Sequence, residues 1–283
     1  MNILTFDIEE WFHILDNDST KTYKQWDNYE KRIHFNMDKI FNLLDKNKLK
    51  ATFFIVGWIA QKYPEIVRKI DQQGFEIGSH THMHQLMYEQ LPNEVSEDLK
   101  KSIGVLENLT GKKVRSFRAP GFSITEKNKW AFEILANHGI THDCSIFPAG
   151  RAHGGLPSFS KAIPSILSYK GVQMKEFPIN TISTPFGPWI FSGGGYFRLT
   201  PYKLINYFTS NSDYIMTYFH PRDFDPEQPM ISGLSKFRKF KSYVGLKKCM
   251  VKLEKWVTEF DFIDLDQADK NINWGKAPRV LIR

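Results

Sequence analysis

The alternation of short β-rich runs with longer helical patterns constrains the fold of this 283-residue chain more than any other feature. It continues through the first two thirds of the sequence and is typical of βαβ units around a parallel sheet or barrel. The predicted strands are residues 3–7, 51–56, 75–80, 114–119, 141–146, 175–182 and 214–219.

Helix signals lie between these strands. Apolar residues recur at helical spacing over 33–44, Pro64 begins and Gly74 ends a second helix, and Asn93 is the expected cap of a third. We therefore predict an α/β fold, in which about seven parallel strands form a sheet or barrel within a single domain of residues 1–283. Loops over the barrel mouth are predicted at 147–168 and 185–195, which are rich in Gly, Pro and Ser. Residues 226–283 predict a C-terminal helical extension packed on the barrel, with a helix at about 243–260.

Charge and cysteine content limit the class of protein. The formal net charge of +7 favours acidic partners, without distinguishing nucleic acid, anionic lipid and phosphorylated small molecules. Cys144 and Cys249 are too few for a disulfide framework, which predicts free thiols in a reducing compartment. The N-terminal run lacks the basic and long apolar regions of a signal peptide, and no run reaches the ~20 apolar residues of a membrane span. We expect a cytoplasmic protein.

Three histidines lie within five residues at the end of the third predicted strand. His80 and His84 are four residues apart and can meet one cation if a helix follows the strand, since that spacing puts them on one face. His82 would then point elsewhere. The alternative is a set of ordinary histidines held by hydrogen bonds.

An acidic cluster lies at the carboxyl end of the first predicted strand, the end that holds the active site in α/β barrels. Strand alternation sends Asp7 and Glu9 to one face, where one carboxylate can bind a metal while the other takes a proton. Glu10 would face away. The alternative is that these acids only cap a helix or pair with surface lysines.

Four further motifs accompany the two clusters. They are Arg115-Ser-Phe-Arg118-Ala-Pro120-Gly121, His142-Asp143-Cys-Ser145, Ser192-Gly-Gly-Gly-Tyr196 and Tyr218-Phe-His220-Pro221-Arg-Asp223. With these residues the chain resembles the NodB-type polysaccharide deacetylases, carbohydrate esterase family 4. More closely, it is similar to an intracellular bacterial subgroup with an Asp-x-Glu first motif and a C-terminal extension. The resemblance covers nearly the whole chain and implies a distorted (β/α) barrel of about seven parallel strands.

The resemblance implies a metal site with a separate base. It makes Asp7 the general base and His80 and His84 two metal ligands. Most relatives have two adjacent aspartates in the first motif, the second being a ligand, whereas Ile8 stands at that position here. The nearest carboxylate that can replace it is Glu9, which we assign as the third ligand.

The resemblance also implies roles around the base. Arg118 matches the arginine that orients Asp7, although it could be an ordinary surface cation. The backbone N–H of Gly121 would line an oxyanion hole. His220 matches the catalytic acid, and Asp143 resembles the acid that tunes this histidine, with capping of the next turn as an alternative role for Asp143.

The implied activity is metal-dependent removal of an N-acetyl group from an amino sugar in bacterial surface polysaccharide synthesis. The sugar would be nucleotide-linked, lipid-linked or part of an oligosaccharide. Gly194 and Tyr196 would contact it, although a plain tight loop also explains the glycines. The cofactor would be one divalent ion, zinc, with iron, cobalt, nickel or manganese also accepted by imidazole and carboxylate ligands.

Two other functions remain open. A deformylase or other amide hydrolase would share the mechanism, and a non-catalytic carbohydrate-binding relative would lack an essential group. The basic stretch 236–252 indicates either a solvated helix face or a contact with substrate phosphates or a membrane surface. Nucleic acid is not an expected partner, since no recognised binding module accompanies the stretch. The sequence does not predict an oligomeric state.

Overall fold

The computed structural model describes residues 1–15, 17–150, 154–184 and 187–283. The strands are β1 Asn2–Ile3, β2 Thr5–Ile8, β3 Thr52–Ile55, β4 Glu76–Ser79, β5 Ser116–Phe117, β6 His142–Asp143, β7 Ser165–Tyr169, β8 Val172–Glu176, β9 Ile182–Thr184, β10 Gly187–Trp189, β11 Ile215–Met216 and β12 Arg279–Leu281. The α-helices are α1 Tyr23–Trp26, α2 Ile33–Asn47, α3 Gly57–Lys62, α4 Pro64–Gln72, α5 Pro92–Thr110, α6 Ala131–Asn137, α7 Gly194–Leu199, α8 Tyr202–Ser210, α9 Lys236–Tyr243, α10 Leu246–Glu259 and α11 Leu265–Asn271. Short 3₁₀ helices are Asp18–Thr20, Met87–Glu89, Pro120–Phe122 and Pro221–Phe224.

The main sheet has the strand order β12-β7-β8-β6-β5-β4-β3-β2. The neighbouring strands from β2 to β6 are parallel, as the predicted βαβ units require. Beyond β2, single parallel bridges join Phe6 to Phe219 and Tyr218 to Gly193, and β1 pairs with β11. These short pairings continue the wall past the main sheet, which makes a distorted α/β barrel. The predicted fold class is confirmed.

One edge of the sheet differs from the prediction. The sixth predicted strand, 175–182, is wrong in its bounds, because β8 ends at Glu176 and Pro178 soon follows without an N–H to donate. β8 instead pairs antiparallel with β7 in a hairpin. Lys170 and Gly171 at its tip have φ angles of 44° and 86°, the positive values that a type I′ turn requires. The sheet is therefore mixed at this edge.

The predicted helices are present, with one wrong boundary. The periodic apolar residues of α2 are buried in the core, and Gly74, with φ of 70°, follows the end of α4. The third predicted helix corresponds to α5, which begins at Pro92. Proline suits a first helical turn, and the Glu94 carboxylate accepts the Leu91 N–H at 2.7 Å. Asn93 therefore lies inside α5 and is not its cap.

The C-terminal segment packs against the barrel through α10. Trp256 is fully buried and stacks on Phe197 of α7 with a centroid distance of 5.2 Å. The predicted helix at about 243–260 corresponds to α10, but the extension is not purely helical, since β12 joins the sheet parallel to β7. Residues of the extension thus form the edge strand of the main sheet beside β7.

Other sequence expectations have mixed outcomes. Cys144 and Cys249 are buried free thiols. Within the two predicted mouth loops, residues 151–153 and 185–186 lie outside the described residues, and the loops also contain strand residues of β7 and β10. In the described part of the chain, no helix is both long enough and apolar enough to cross a membrane.

Candidate active site

The predicted site residues converge at the carboxyl ends of the parallel strands. Asp7 lies in β2 with Glu9 just after it, and His80 directly follows β4. His84 lies in the loop after β4, and His220 directly follows Phe219, the residue that forms the β-bridge with Phe6. These five side chains line one cavity of about 440 Å³.

Three of these side chains form a cluster suited to a cation. Ligand atoms of Glu9, His80 and His84 all lie within 4.8 Å of one another, and all three residues are buried. Oε2 of Glu9 lies 2.6 Å from Nε2 of His84, yet this buried oxygen accepts no hydrogen bond among the described residues. His80 Nδ1 lies 2.7 Å from the Arg118 carbonyl, which fixes the proton on Nδ1 and leaves Nε2 as a lone-pair donor. The donor set fits a divalent transition metal.

A tight turn, and not the expected helix, brings the two histidines together. Thr81 and His84 have positive φ angles of 62° and 51°, and the Thr81 hydroxyl accepts the His84 N–H at 3.0 Å. The rings of His80 and His84 consequently lie 5.1 Å apart, centroid to centroid. His82 points away, as predicted, and packs against Gly57. A Cβ at that position would lie only 2.5 Å from Nδ1 of His82, so the contact requires glycine.

A fully buried arginine holds the predicted base. Nη1 of Arg118 donates to Oδ1 of Asp7 and to the Thr5 hydroxyl, each at 2.7 Å. The guanidinium also stacks over the Phe54 ring at 4.3 Å, which fixes its plane. The surface alternative for Arg118 is therefore wrong. One carboxylate oxygen of Asp7 is held in place, and the other lies 3.8 Å from Nε2 of His220.

His220 is oriented by an acid of its own turn. Oδ2 of Asp223 lies 3.0 Å from Nδ1 of His220 and accepts its backbone N–H at 2.9 Å, while Oδ1 lies 3.4 Å from Nε of Arg198. Burial alone would raise the pKa of Asp223, but the charges of Arg198 and His220 lower it to about 2. Asp223 therefore stays ionised and directs Nε2 of His220 into the cavity.

The carboxylates around His220 affect its protonation. Burial of the imidazole opposes the charged form, but the charges of Glu9, Asp223 and Asp7 outweigh burial and raise the pKa of His220 to about 9. The raised pKa favours the protonated ring. This is the state that a proton donor requires.

Asp143 does not contact His220, so its assignment as the acid that tunes this histidine is wrong. It lies in β6, is fully buried, and accepts a hydrogen bond from the Ser145 hydroxyl at 2.5 Å. Burial raises the pKa of Asp143 to about 6, and the neighbouring Glu176 carboxyl has its pKa raised further. Asp143 belongs to a buried acid pair within the sheet.

The glycine loop packs mainly against protein. Gly194, with φ of 49°, lines the cavity, but its N–H donates to the Tyr218 carbonyl at 3.0 Å. A Cβ on Gly193 would lie 2.1 Å from that carbonyl oxygen, so close backbone packing requires glycine there. This supports the plain tight loop. Tyr196 and Gly121, whose φ is 60°, line the same cavity.

Glu10 and His13, which lie close to Asp7 and Glu9 in the sequence, make different contacts. Glu10 faces away from the cavity, as predicted, and its carboxylate accepts the backbone N–H groups of Arg32 and Ile33 at the start of α2. His13, which was not among the predicted site residues, lines the cavity with its ring centroid 5.7 Å from that of His84. The spacing Glu9-x-x-x-His13 after the strand was the available signal.

Two family models match adjacent segments of the chain. Residues 16–143 match the polysaccharide deacetylase model, and residues 144–270 match a domain of unknown function, DUF3473. A peptidoglycan-N-acetylglucosamine deacetylase of Bacillus cereus is 35% identical over 169 residues, which cover 50% of this chain and 61% of that relative. The chain therefore matches less than two thirds of this relative's length.

Solved structures support the same fold. The crystal structure of a putative polysaccharide deacetylase from Mycobacterium smegmatis has a TM-score of 0.67 at 17% identity, covering 99% of this chain and 93% of that one. A family 4 carbohydrate esterase from Streptomyces lividans has a TM-score of 0.51 at 12% identity, covering 93% and 90%. The fold is that of the NodB-type α/β barrels. Residues 16–143 are thus similar to the NodB-like polysaccharide deacetylases of carbohydrate esterase family 4.

Proposed function

We propose that this protein is a metal-dependent hydrolase that removes an N-acetyl group from an amino sugar. The observation that carries the proposal is the convergence of Asp7, His220 and the Glu9–His80–His84 cluster on one cavity. A metal-ligand set beside a separate base and acid is what amide hydrolysis by an activated water requires. Every essential group is present, which argues against a non-catalytic carbohydrate-binding relative.

Glu9, His80 and His84 are the residues that would hold the divalent ion, for which zinc is our first candidate. When bound, such an ion supplies Lewis-acid polarisation of the amide carbonyl and lowers the pKa of water. The unsatisfied Glu9 oxygen and the fixed His80 tautomer support these three residues as ligands. Iron, cobalt, nickel or manganese would suit the same donor atoms.

Asp7 is the general base in this scheme. Arg118 occupies Oδ1, so Oδ2 is the oxygen that removes a proton from the attacking water. The water oxygen then forms a bond to the acyl carbon. Arg118 is a positioning residue, because it contacts the base and does not line the cavity.

His220 is the general acid. Its Nε2 lies 3.8 Å from carboxylate oxygens of both Asp7 and Glu9, at the side of the cavity where the base acts. It donates its proton to the amine as the C–N bond breaks, and the products are a free amine and a carboxylate. The N–H of Gly121 is our candidate for stabilising the carbonyl oxygen as charge develops there.

We further propose a cytoplasmic role in making bacterial surface polysaccharide, on a nucleotide-linked, lipid-linked or oligosaccharide substrate. The similarity to a peptidoglycan-N-acetylglucosamine deacetylase supports the substrate class, and the free thiols of Cys144 and Cys249 suit a reducing compartment. A deformylase of the same mechanism would use these residues in the same way. The released acid distinguishes the two activities.

The test is mass spectrometry of a substrate panel after incubation with metal-loaded protein. The panel contains acetylated and formylated amino sugars as free glycosides, nucleotide diphosphate sugars, lipid diphosphate sugars and short oligosaccharides. Loss of an acetyl group, with acetate recovered in equal amount, is the expected result. Release of formate alone would replace deacetylation by deformylation, and no reaction by fully metal-loaded protein would favour a binding protein.

A further inference from the structure

Arg222 lines the active-site cavity without a charged partner. Its guanidinium lies over the ring of Tyr243, 5.6 Å from the centroid, and it forms no ion pair or side-chain hydrogen bond with any described residue. Nη2 is buried as well as unsatisfied. Tyr243 is itself fixed, because its hydroxyl accepts the Ile231 N–H at 2.9 Å.

This arrangement is costly for the free protein. A buried donor without an acceptor loses its hydration, and a guanidinium stays charged in proteins. Arg198, a neighbouring cation, differs in having a charged partner: its Nε lies 3.4 Å from Oδ1 of Asp223, and its two Nη atoms donate to the backbone carbonyls of Lys241 and Ser242. Arg198 therefore holds the local fold, whereas Arg222 has unused donors at the cavity.

Further positive charge faces the same cavity from α9. Arg238 and Lys241 both line it, and Arg238 is anchored at 2.7 Å to the Leu15 carbonyl on the opposite side. The acidic lining residues are already engaged, Asp223 by His220 and Arg198, and Asp7 by Arg118. The cavity thus has a catalytic end rich in carboxylate and imidazole and an end lined by Arg222, Arg238 and Lys241.

We propose that Arg222, with Arg238 and Lys241, binds a phosphate group attached to the amino sugar whose acyl group is removed. This inference rests on the proposed deacetylation and names its substrate class, a sugar phosphate ester or diphosphate. Cations approaching from two elements suit a tetrahedral anion with several acceptor oxygens, whereas a single carboxylate fits one planar guanidinium. Arg222 is accordingly a specificity-determining residue.

The first experiment compares two acetylated substrates that differ only in charge. The probes are an N-acetylhexosamine 1-phosphate and the methyl glycoside of the same sugar, each measured for kcat/KM with metal-loaded protein. We expect the phosphate to be preferred by about 10- to 100-fold, the range of a charged hydrogen bond to one arginine. Equal values for the two probes would overturn the phosphate site and leave the deacetylase proposal standing.

The second experiment assigns the preference to Arg222. Arg222→Gln should reduce the preference to about two-fold or less, since the charge that discriminates is gone. Lys247→Gln is the matched control, because it removes one exposed charge of the same extension away from the cavity. Thermal unfolding of Arg222→Gln should occur at the wild-type temperature or above, because a partly buried cation without a charged partner has been removed. A preference that survives in Arg222→Gln would contradict the inference.

A binding measurement separates this inference from the proposed activity. Calorimetric titration with the sugar 1-phosphate should show binding to wild-type protein and to Lys247→Gln, and at least ten-fold weaker binding to Arg222→Gln. If neither probe is deacetylated but this pattern holds, the phosphate site stands and the deacetylase proposal fails. Equal binding to all three proteins would overturn the phosphate site.

The source of the phosphate is resolved by two diphosphate substrates. One carries a nucleoside and the other a polyprenyl lipid in detergent micelles, with the same acetylated sugar on both. A kcat/KM above that of the methyl glycoside for either substrate supports the site, and the larger value identifies the carrier. Values below that of the methyl glycoside for both would contradict it.

Discussion

At the scale of single residues, the structure assigns the orientation of His220 to Asp223. The acid lies three residues beyond the histidine, and one oxygen accepts both the ring N–H and the backbone N–H of His220. Asp143 is held instead by Ser145 beside Glu176. A local turn therefore supplies the partner that sequence similarity had placed on a distant strand.

Asp223→Asn and Asp143→Asn give opposite expectations for turnover. Asp223→Asn should lower kcat by about 10²-fold or more, because the proton donor loses its ionised partner. Asp143→Asn should keep kcat within about three-fold, since the residue does not reach the cavity. Steady-state kinetics on metal-loaded proteins with matched circular dichroism spectra decides. A larger loss in Asp143→Asn than in Asp223→Asn would contradict the assignment.

The residues that the sequence predicted well are those fixed by strand geometry. Asp7 and Glu9 share a face because strand side chains alternate, and His80 directly follows β4, which only β3 separates from β2 in the sheet. Arg222 and Asp223 belong to the sequence motif that contains His220. Their contacts depend on residues of other segments, since Asp223 faces Arg198 and Arg222 lies over Tyr243. Such contacts have no periodic signal.

At the scale of elements, the site depends on how α7 meets the C-terminal extension. Nζ of Lys252 donates to the carbonyls of Phe197, Arg198 and Thr200, at 2.9, 3.0 and 2.8 Å. These carbonyls are the unsatisfied end of α7, where a cation is stabilising. The basic stretch 236–252 is thus divided, with Lys252 structural and Lys241 at the cavity.

Lys252→Met should destabilise the protein by about 1–3 kcal/mol, because three carbonyls lose their donor. Lys248→Met, on an exposed position of the same helix, should change the free energy of unfolding by less than about 0.5 kcal/mol. Urea unfolding of both variants measures the difference. An equal effect of the two substitutions would show that the α7 contacts contribute no stability.

Element boundaries were less predictable than element types. The parallel strands and α2 follow from period and composition, which act locally. The β7–β8 hairpin was missed because Lys-Gly at its tip is a weaker turn signal than Asn-Gly. The sequence predicts a helix where the structure has a turn at Thr81 and His84, because a spacing of four residues between histidines suits both. The Asp98 carboxylate favours the turn, since it accepts backbone N–H groups within it.

At the scale of the whole molecule, the far end of the barrel contains a buried acid that affects stability. Burial raises the pKa of Glu76, in β4, from 4.5 to about 7, although Arg115 lies 3.8 Å away and the Thr52 hydroxyl donates at 3.0 Å. The folded state therefore retains this proton at pH values where the unfolded chain has lost it. Stability from this group is largest below pH 4.5 and falls as pH rises to about 7.

Glu76→Gln should remove this pH dependence. The amide keeps an acceptor for Thr52, so the variant should be more stable than wild type by up to roughly 3 kcal/mol at pH 8 and nearly equal to it at pH 4.5. Denaturant unfolding across this pH range gives the comparison, with the exposed Glu97→Gln as control. A variant less stable than wild type at pH 8 would contradict the assigned shift.

The central claim is that a metal bound by Glu9, His80 and His84 works with Asp7 as a separate base. The most direct measurement determines metal content and acetate release together for wild type, Asp7→Asn and His80→Ala. We predict that Asp7→Asn binds metal stoichiometrically and loses about 10²- to 10⁴-fold in kcat, the usual contribution of a general base, while His80→Ala loses both metal and turnover. Full acetate release by a metal-free His80→Ala protein would contradict the account.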